Sequence, residues 1–171
     1  IGNMTNIATL FLKHHDAVSL LRGLYMMNGY FGRKPLPDPA YNWNAWADPL
    51  ASKIVYDAAV ETHRSVPLEI TEQLTLQAEQ TDMLLKADSP LMCAVLDFGK
   101  AWQISSGKLT LHDPLAAVCV FHPEVCTFEH GKVAVETEKK EHLGNTVFTP
   151  DECGNAEIAR TVNKETFYRI L

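Results

Sequence analysis

Four short segments carry side chains that could bind a cation, move a proton and grip a polar substrate. His112-Asp113-Pro114 sets an imidazole beside a carboxylate. An unperturbed His gains or loses a proton near neutral pH, and a carboxylate is a hard oxygen ligand suited to a hard divalent cation. Asn42-Trp43-Asn44 sets two amides, each able to donate and accept, around an aromatic ring. Met27-Asn28-Gly29 closes an apolar run, and Gly2-Asn3-Met4-Thr5-Asn6 stands at the start of the chain. Each also has a plainer reading. Asp113 caps a helix with Pro114 in its first turn, Thr5 caps the first helix, Asn42 to Asn44 form a polar loop with an aromatic anchor, and Met27 is core.

Positioning these groups requires an alternation of helices and strands. Apolar residues Ile7, Leu10, Phe11, Ala17, Leu20 and Leu21 predict a helix over 5–21. Leu24 to Met27 reads as a short buried strand, stopped by Asn28-Gly29, and a long Pro- and Gly-rich loop follows to Pro39. Asp48-Pro49 predicts a capped helix running to about Glu61. A strand is expected over 65–70, with Thr71 capping a polar helix, and Asp88-Ser89-Pro90 should start a further helix reaching Ile104. Asp113-Pro114 repeats the Asp-Pro helix start. Val133 to Val135 and Thr146 to Phe148 predict antiparallel strands, 156–162 a strand and 164–171 a terminal helix. The sum is an α/β architecture in one domain over residues 1–171.

Composition narrows the partners. Apolar residues make up 46% and charged residues 21%, an ordinary globular mixture, and the formal net charge is −6. Lys and Arg never occur more than two in a row, so no phosphate-tracking surface is expected and nucleic acid is a poor partner. No apolar run approaches the roughly 20 residues of a membrane helix, and Ile1 to Met4 lack the features of a signal peptide. A cytoplasmic setting is the expectation. Cys93, Cys119, Cys126 and Cys153 match no zinc or redox spacing and are expected to be reduced and structural. The start at Ile1 suggests processing, cleavage or trimming of a longer polypeptide.

Taken in order, these segments resemble the second half of the calcium-dependent, inosine-uridine preferring nucleoside hydrolases. His112-Asp113 is similar to the family's His-Asp pair, which implies that Asp113 binds calcium and a ribose hydroxyl while His112 lies near the leaving base. Thr5 matches a Thr whose backbone carbonyl binds calcium. Tyr41-Asn42-Trp43-Asn44 resembles an Ala-Glu-Phe-Asn or Ala-Glu-Trp-Asn segment, which implies ribose contacts for Asn42 and Asn44 and a pocket wall for Trp43; Asn42 stands where the family has Glu. Met27-Asn28-Gly29 resembles Met-Gly-Gly, whose Met contacts ribose. Val66-Pro67-Leu68-Glu69-Ile70-Thr71 resembles Val-Pro-Leu-Asp-Val-Thr, with a structural role, and Val135 to Thr137 and Gly144 to Val147 extend the likeness to the C-terminal region.

The resemblance implies part of a mostly parallel, Rossmann-like sheet with flanking helices and a C-terminal antiparallel element. It also implies hydrolysis of ribonucleosides with calcium, and a homo-oligomer. The family's N-terminal Asp-x-Asp-x-x-x-Asp-Asp motif does not occur in these 171 residues. A complementary N-terminal fragment or chain is therefore expected to supply it. A noncatalytic ribose- or nucleoside-binding protein, or an inactive fragment, is the alternative.

Overall fold

The computed structural model describes residues 2–32, 38, 42–76 and 89–171. Five strands form one mixed sheet in the order β1-β2-β5-β3-β4: β1 (Leu24–Met26), β2 (His63–Ser65), β3 (Cys126–Val135), β4 (Thr146–Pro150) and β5 (Ala156–Val162). β1, β2 and β5 pair in parallel, and β3 runs antiparallel to both β5 and β4. The expected parallel sheet with a C-terminal antiparallel element is therefore present.

Helices cover both faces, as parallel strands require. Alternation along β5 shows the division: Ile158 packs with Phe11, Val55 and Tyr56, while its neighbour Ala159 packs with Leu115, Cys119 and Phe167. The first group belongs to α1 (Thr5–Lys13) and α4 (Pro49–Asp57), and the second to α7 (His112–Phe121) and α8 (Lys164–Ile170). Each such fully buried Val, Leu, Ile or Phe contributes about 1.5–3 kcal/mol. α2 (Ala17–Leu20), α3 (Trp43–Trp46), α5 (Leu68–Thr71) and α6 (Pro90–Ser106) complete the described α-helices.

Several local expectations change. The helix over 5–21 is two helices, because His14 leaves helical geometry at φ −135°, ψ 79°. The polar run Lys13 to Asp16 buries nothing that would hold the next turn in line. The strand over 65–70 ends at Ser65, and Pro67 begins a turn whose carbonyl accepts from the amides of Ile70 and Thr71. α4 starts as expected, with the Asp48 carboxylate accepting from Ala51 N–H at 3.0 Å, but stops at Asp57. Thr71 ends α5 instead of capping a helix: residues 72–76 form a turn and an isolated antiparallel bridge from Thr75 to Thr110, and the rest of the expected polar helix lies outside the described residues, as do Asp88 and Tyr41.

Neither Asp113 nor Thr5 is a helix cap. α7 begins two residues earlier than expected, with Leu111 at the cap position and Asp113 inside the first turn. Pro114 is tolerated there because first-turn amides have no intrahelical partner to lose. Thr5 is likewise inside α1, after Met4, and its hydroxyl donates to Asp48 Oδ2 instead. All four cysteines are free. Cys119 and Cys126 are buried with their sulfurs 3.7 Å apart, whereas Cys93 and Cys153 are exposed and have no core role.

Candidate active site

The site forms where β1 and β2 end, the usual ligand position in a parallel sheet. After Met26 the chain turns through Asn28 and Gly29. Gly29 has φ +86°, and a Cβ there would lie 2.8 Å from the Tyr56 hydroxyl, so glycine is required on two counts. Asn28 is fully buried and satisfied: its Oδ1 accepts from Gly29 N–H at 3.0 Å and its Nδ2 donates to Ser52 Oγ at 3.3 Å. Its carbonyl accepts from the Tyr56 hydroxyl at 3.1 Å and from Ser65 Oγ at 2.5 Å. Burial pushes the Tyr56 pKa far above its ordinary value, so this phenol remains a donor.

That network holds the Met27 carbonyl in reach of Asn44, whose Nδ2 donates to it at 2.8 Å. Asn44 thus turns its carbonyl oxygen to other partners. Asn42 precedes α3 and is buried, and its Nδ2 donates to the carbonyl of Gly144 at 3.3 Å. Trp43 is 59% exposed, with its ring centroid 5.3 Å from that of Trp46.

His112 and Asp113 arrive from the other side. The amide of Leu76 donates to Leu109 and that of Leu111 to Leu74, both at 2.8 Å, which pins the start of α7 beside the end of α5. His112 Nδ1 then lies 2.7 Å from Thr71 Oγ1. Burial pushes the His112 pKa below its ordinary value, against the opposing pull of Glu72 and Asp113.

Met27, Asn42, Trp43, Asn44, His112 and Asp113 line one cavity of about 230 Å³, with Gly2 and Leu68. Six of the seven residues singled out in the sequence are therefore brought together. Thr5 does not line this cavity; it stands at the start of α1, linked to Asp48. Asn42 also lines a second cavity of about 330 Å³, with Tyr30, Phe31, Thr146, Phe148 and Arg160.

The family model for inosine-uridine preferring nucleoside hydrolases matches residues 1–169. The chain belongs to that family. The non-specific ribonucleoside hydrolase RihC of Klebsiella pneumoniae is 30% identical over 99% of this chain and 57% of its own length. The probable uridine nucleosidase 2 of Oryza sativa is 30% identical over 81% of this chain and 42% of its own. Among solved structures, a plant nucleoside hydrolase superposes with a TM-score of 0.82 at 22% identity, covering 99% of this chain and 58% of that one. A purine-preferring ribonucleoside hydrolase from Gardnerella vaginalis gives the same TM-score and identity, over 98% and 56%. The chain thus spans a little over half the length of most of these nucleoside hydrolases.

Sequence reasoning missed two residues of the site's support. Glu69 clamps the segment after β1: its Oε1 accepts from Phe31 N–H at 3.0 Å, and Oε2 is buried without a partner among the described residues. Burial raises its pKa. Thr71 is fully buried against His112. Both lie in Val66 to Thr71, whose likeness to a nucleoside hydrolase segment was the available signal.

Proposed function

We propose that this chain supplies the ribose- and base-contacting part of a site that hydrolyses the N-glycosidic bond of ribonucleosides. The observation that carries this is the cavity uniting Met27, Asn42, Trp43, Asn44, His112 and Asp113 from separate segments of the chain. Asp113 and the Asn44 oxygen accept hydrogen bonds from ribose hydroxyls, Met27 packs on the sugar, and Trp43 forms a wall. His112 holds the proton that the departing base takes as its bond to ribose breaks. Electron-rich oxygens near the sugar stabilise the positive charge that develops on its ring.

Calcium is the metal of this reading, and this chain alone does not fit it. Calcium takes six to eight oxygen ligands, whereas Asp113 is the sole carboxylate lining the cavity among the described residues. Among the described residues no group of three or more His, Cys, Asp or Glu could hold a metal ion. The remaining ligands, and the carboxylate that takes a proton from water, come from a complementary N-terminal segment or chain. Two features support such a partner. β1 pairs on one side only among the described strands, and open edges recruit further strands. Leu91, Val95, Phe98 and Ile104 of α6 are at least half exposed, an apolar surface suited to burial against that partner or within a homo-oligomer.

One observation favours noncatalytic nucleoside binding instead: Asn42 brings no charge, and its amide is already engaged by Gly144. Ribose release from inosine and uridine by the completed protein separates the two. Binding without release favours the noncatalytic reading. Calorimetry on the 171-residue chain alone should show calcium binding no tighter than micromolar; submicromolar binding would overturn the shared metal shell.

A further inference from the structure

We infer that Thr71 is a positioning residue for His112, holding the imidazole with its proton on Nδ1 and Nε2 turned to the cavity. The inference rests on the hydrolase reading only for its catalytic meaning. The geometry stands by itself. Thr71 is fully buried, and its Oγ1 lies 3.1 Å from the Leu68 carbonyl oxygen and 2.7 Å from His112 Nδ1.

Proton counting decides the direction of these bonds. A hydroxyl has one proton and a carbonyl can only accept, so with both contacts made as hydrogen bonds the proton of Thr71 goes to Leu68. The Oγ1 lone pair then accepts from Nδ1–H, and a neutral His112 carries its lone pair on Nε2. A second proton added at Nε2 leaves the Thr71 bond intact, so the ring holds one orientation in both states. When the C–N bond breaks, its electron pair stays on the base nitrogen, which takes the Nε2 proton. The ring returns to the neutral Nδ1–H form without turning. Pinning of residues 109–111 against 74–76 keeps the two partners in register.

The test needs no turnover for its first arm. Long-range 15N–1H NMR on the 171-residue chain at pH 8 should show His112 as the Nδ1–H tautomer. Thr71→Val, which keeps the shape and deletes the hydroxyl, should shift that population toward Nε2–H, and Thr71→Ser should restore it. An Nε2–H tautomer in the wild-type chain would overturn the inference even if Thr71→Val failed to fold, as would an unchanged tautomer in folded Thr71→Val.

The second arm uses the completed protein. Thr71→Val should lower kcat for inosine on the order of tenfold or more, with KM little changed. The loss should be much smaller for p-nitrophenyl riboside, whose leaving group needs no proton. Equal losses on both substrates would mark Thr71 as merely structural. A wild-type protein that hydrolyses neither substrate would defeat the hydrolase reading, while the tautomer measurement would still decide the role of Thr71.

Discussion

Asp113 stands exposed in the first turn of α7, and its side chain caps nothing. Its carboxylate is therefore available to a ligand at little structural cost. Asp113→Asn should leave the chain's stability within about 0.5 kcal/mol of wild type, as expected for an exposed position. In the completed protein the same change should abolish most ribose release. Denaturant midpoints and turnover measured together check this, and unimpaired turnover would remove Asp113 from the site. Asn42 is the opposite case. It is buried and bonded to Gly144, so a carboxylate placed there would lose that bond as well as gain a charge. Asn42→Glu is therefore not a simple repair of the pocket.

At the scale of elements, the β3–β4 connection is locked against α3. Gly144 has φ +79°, and a Cβ there would lie 2.4 Å from the Trp46 Cα and 2.7 Å from its amide nitrogen. Backbone cannot yield as a side-chain tip does. Gly144→Ala should cost about 2–4 kcal/mol through strain and overpacking together. It should also displace Asn42, whose partner is the Gly144 carbonyl, and so open the wall shared by the two cavities. Thermal unfolding and nucleoside affinity of the variant test the two effects. A fold of unchanged stability would mean that the hairpin is not locked in this way.

Across the whole molecule, stability should depend on pH through a histidine at the far end of the strands. His63 is buried at the start of β2, stacked on Tyr56 with ring centroids 6.0 Å apart, and its Nε2 has no partner among the described residues. Burial pushes its pKa below the ordinary value, against the Ala58 carbonyl 3.3 Å from Nδ1. Above about pH 6.5 folded and unfolded chains both hold it neutral, with no penalty. As pH falls below that, the unfolded chain takes up the proton first, and stability declines by at most about 1.4 kcal/mol per pH unit for this group. The decline ends once the folded form also protonates. His112 is shifted in the same direction and adds to it. His63→Phe keeps a ring on Tyr56 and should flatten part of the fall between pH 7 and 5. Urea midpoints at those pH values measure it, and an undiminished fall in the variant would assign the effect elsewhere.

Local chemistry was legible in the sequence wherever it acts on near neighbours. Asp48-Pro49 starts a helix because a carboxylate reaches an amide three residues on, and the alternating strands near the C-terminus follow from period-two patterning. The association of His112-Asp113 with Asn42 to Asn44 and Met27 came from resemblance, since nothing in their spacing dictates that they meet. Tertiary structure brings them to one cavity, by joining strands far apart in the chain at one end of the sheet. Tertiary structure alone also decided which polar groups are already engaged. Asn44 is bonded to Met27, Asn42 to Gly144 and His112 to Thr71, across 17, 102 and 41 residues. It likewise moved Asp113 and Thr5 from capping positions into first turns, because packing of the adjoining segments, not the identity of the cap residue, set where those helices begin.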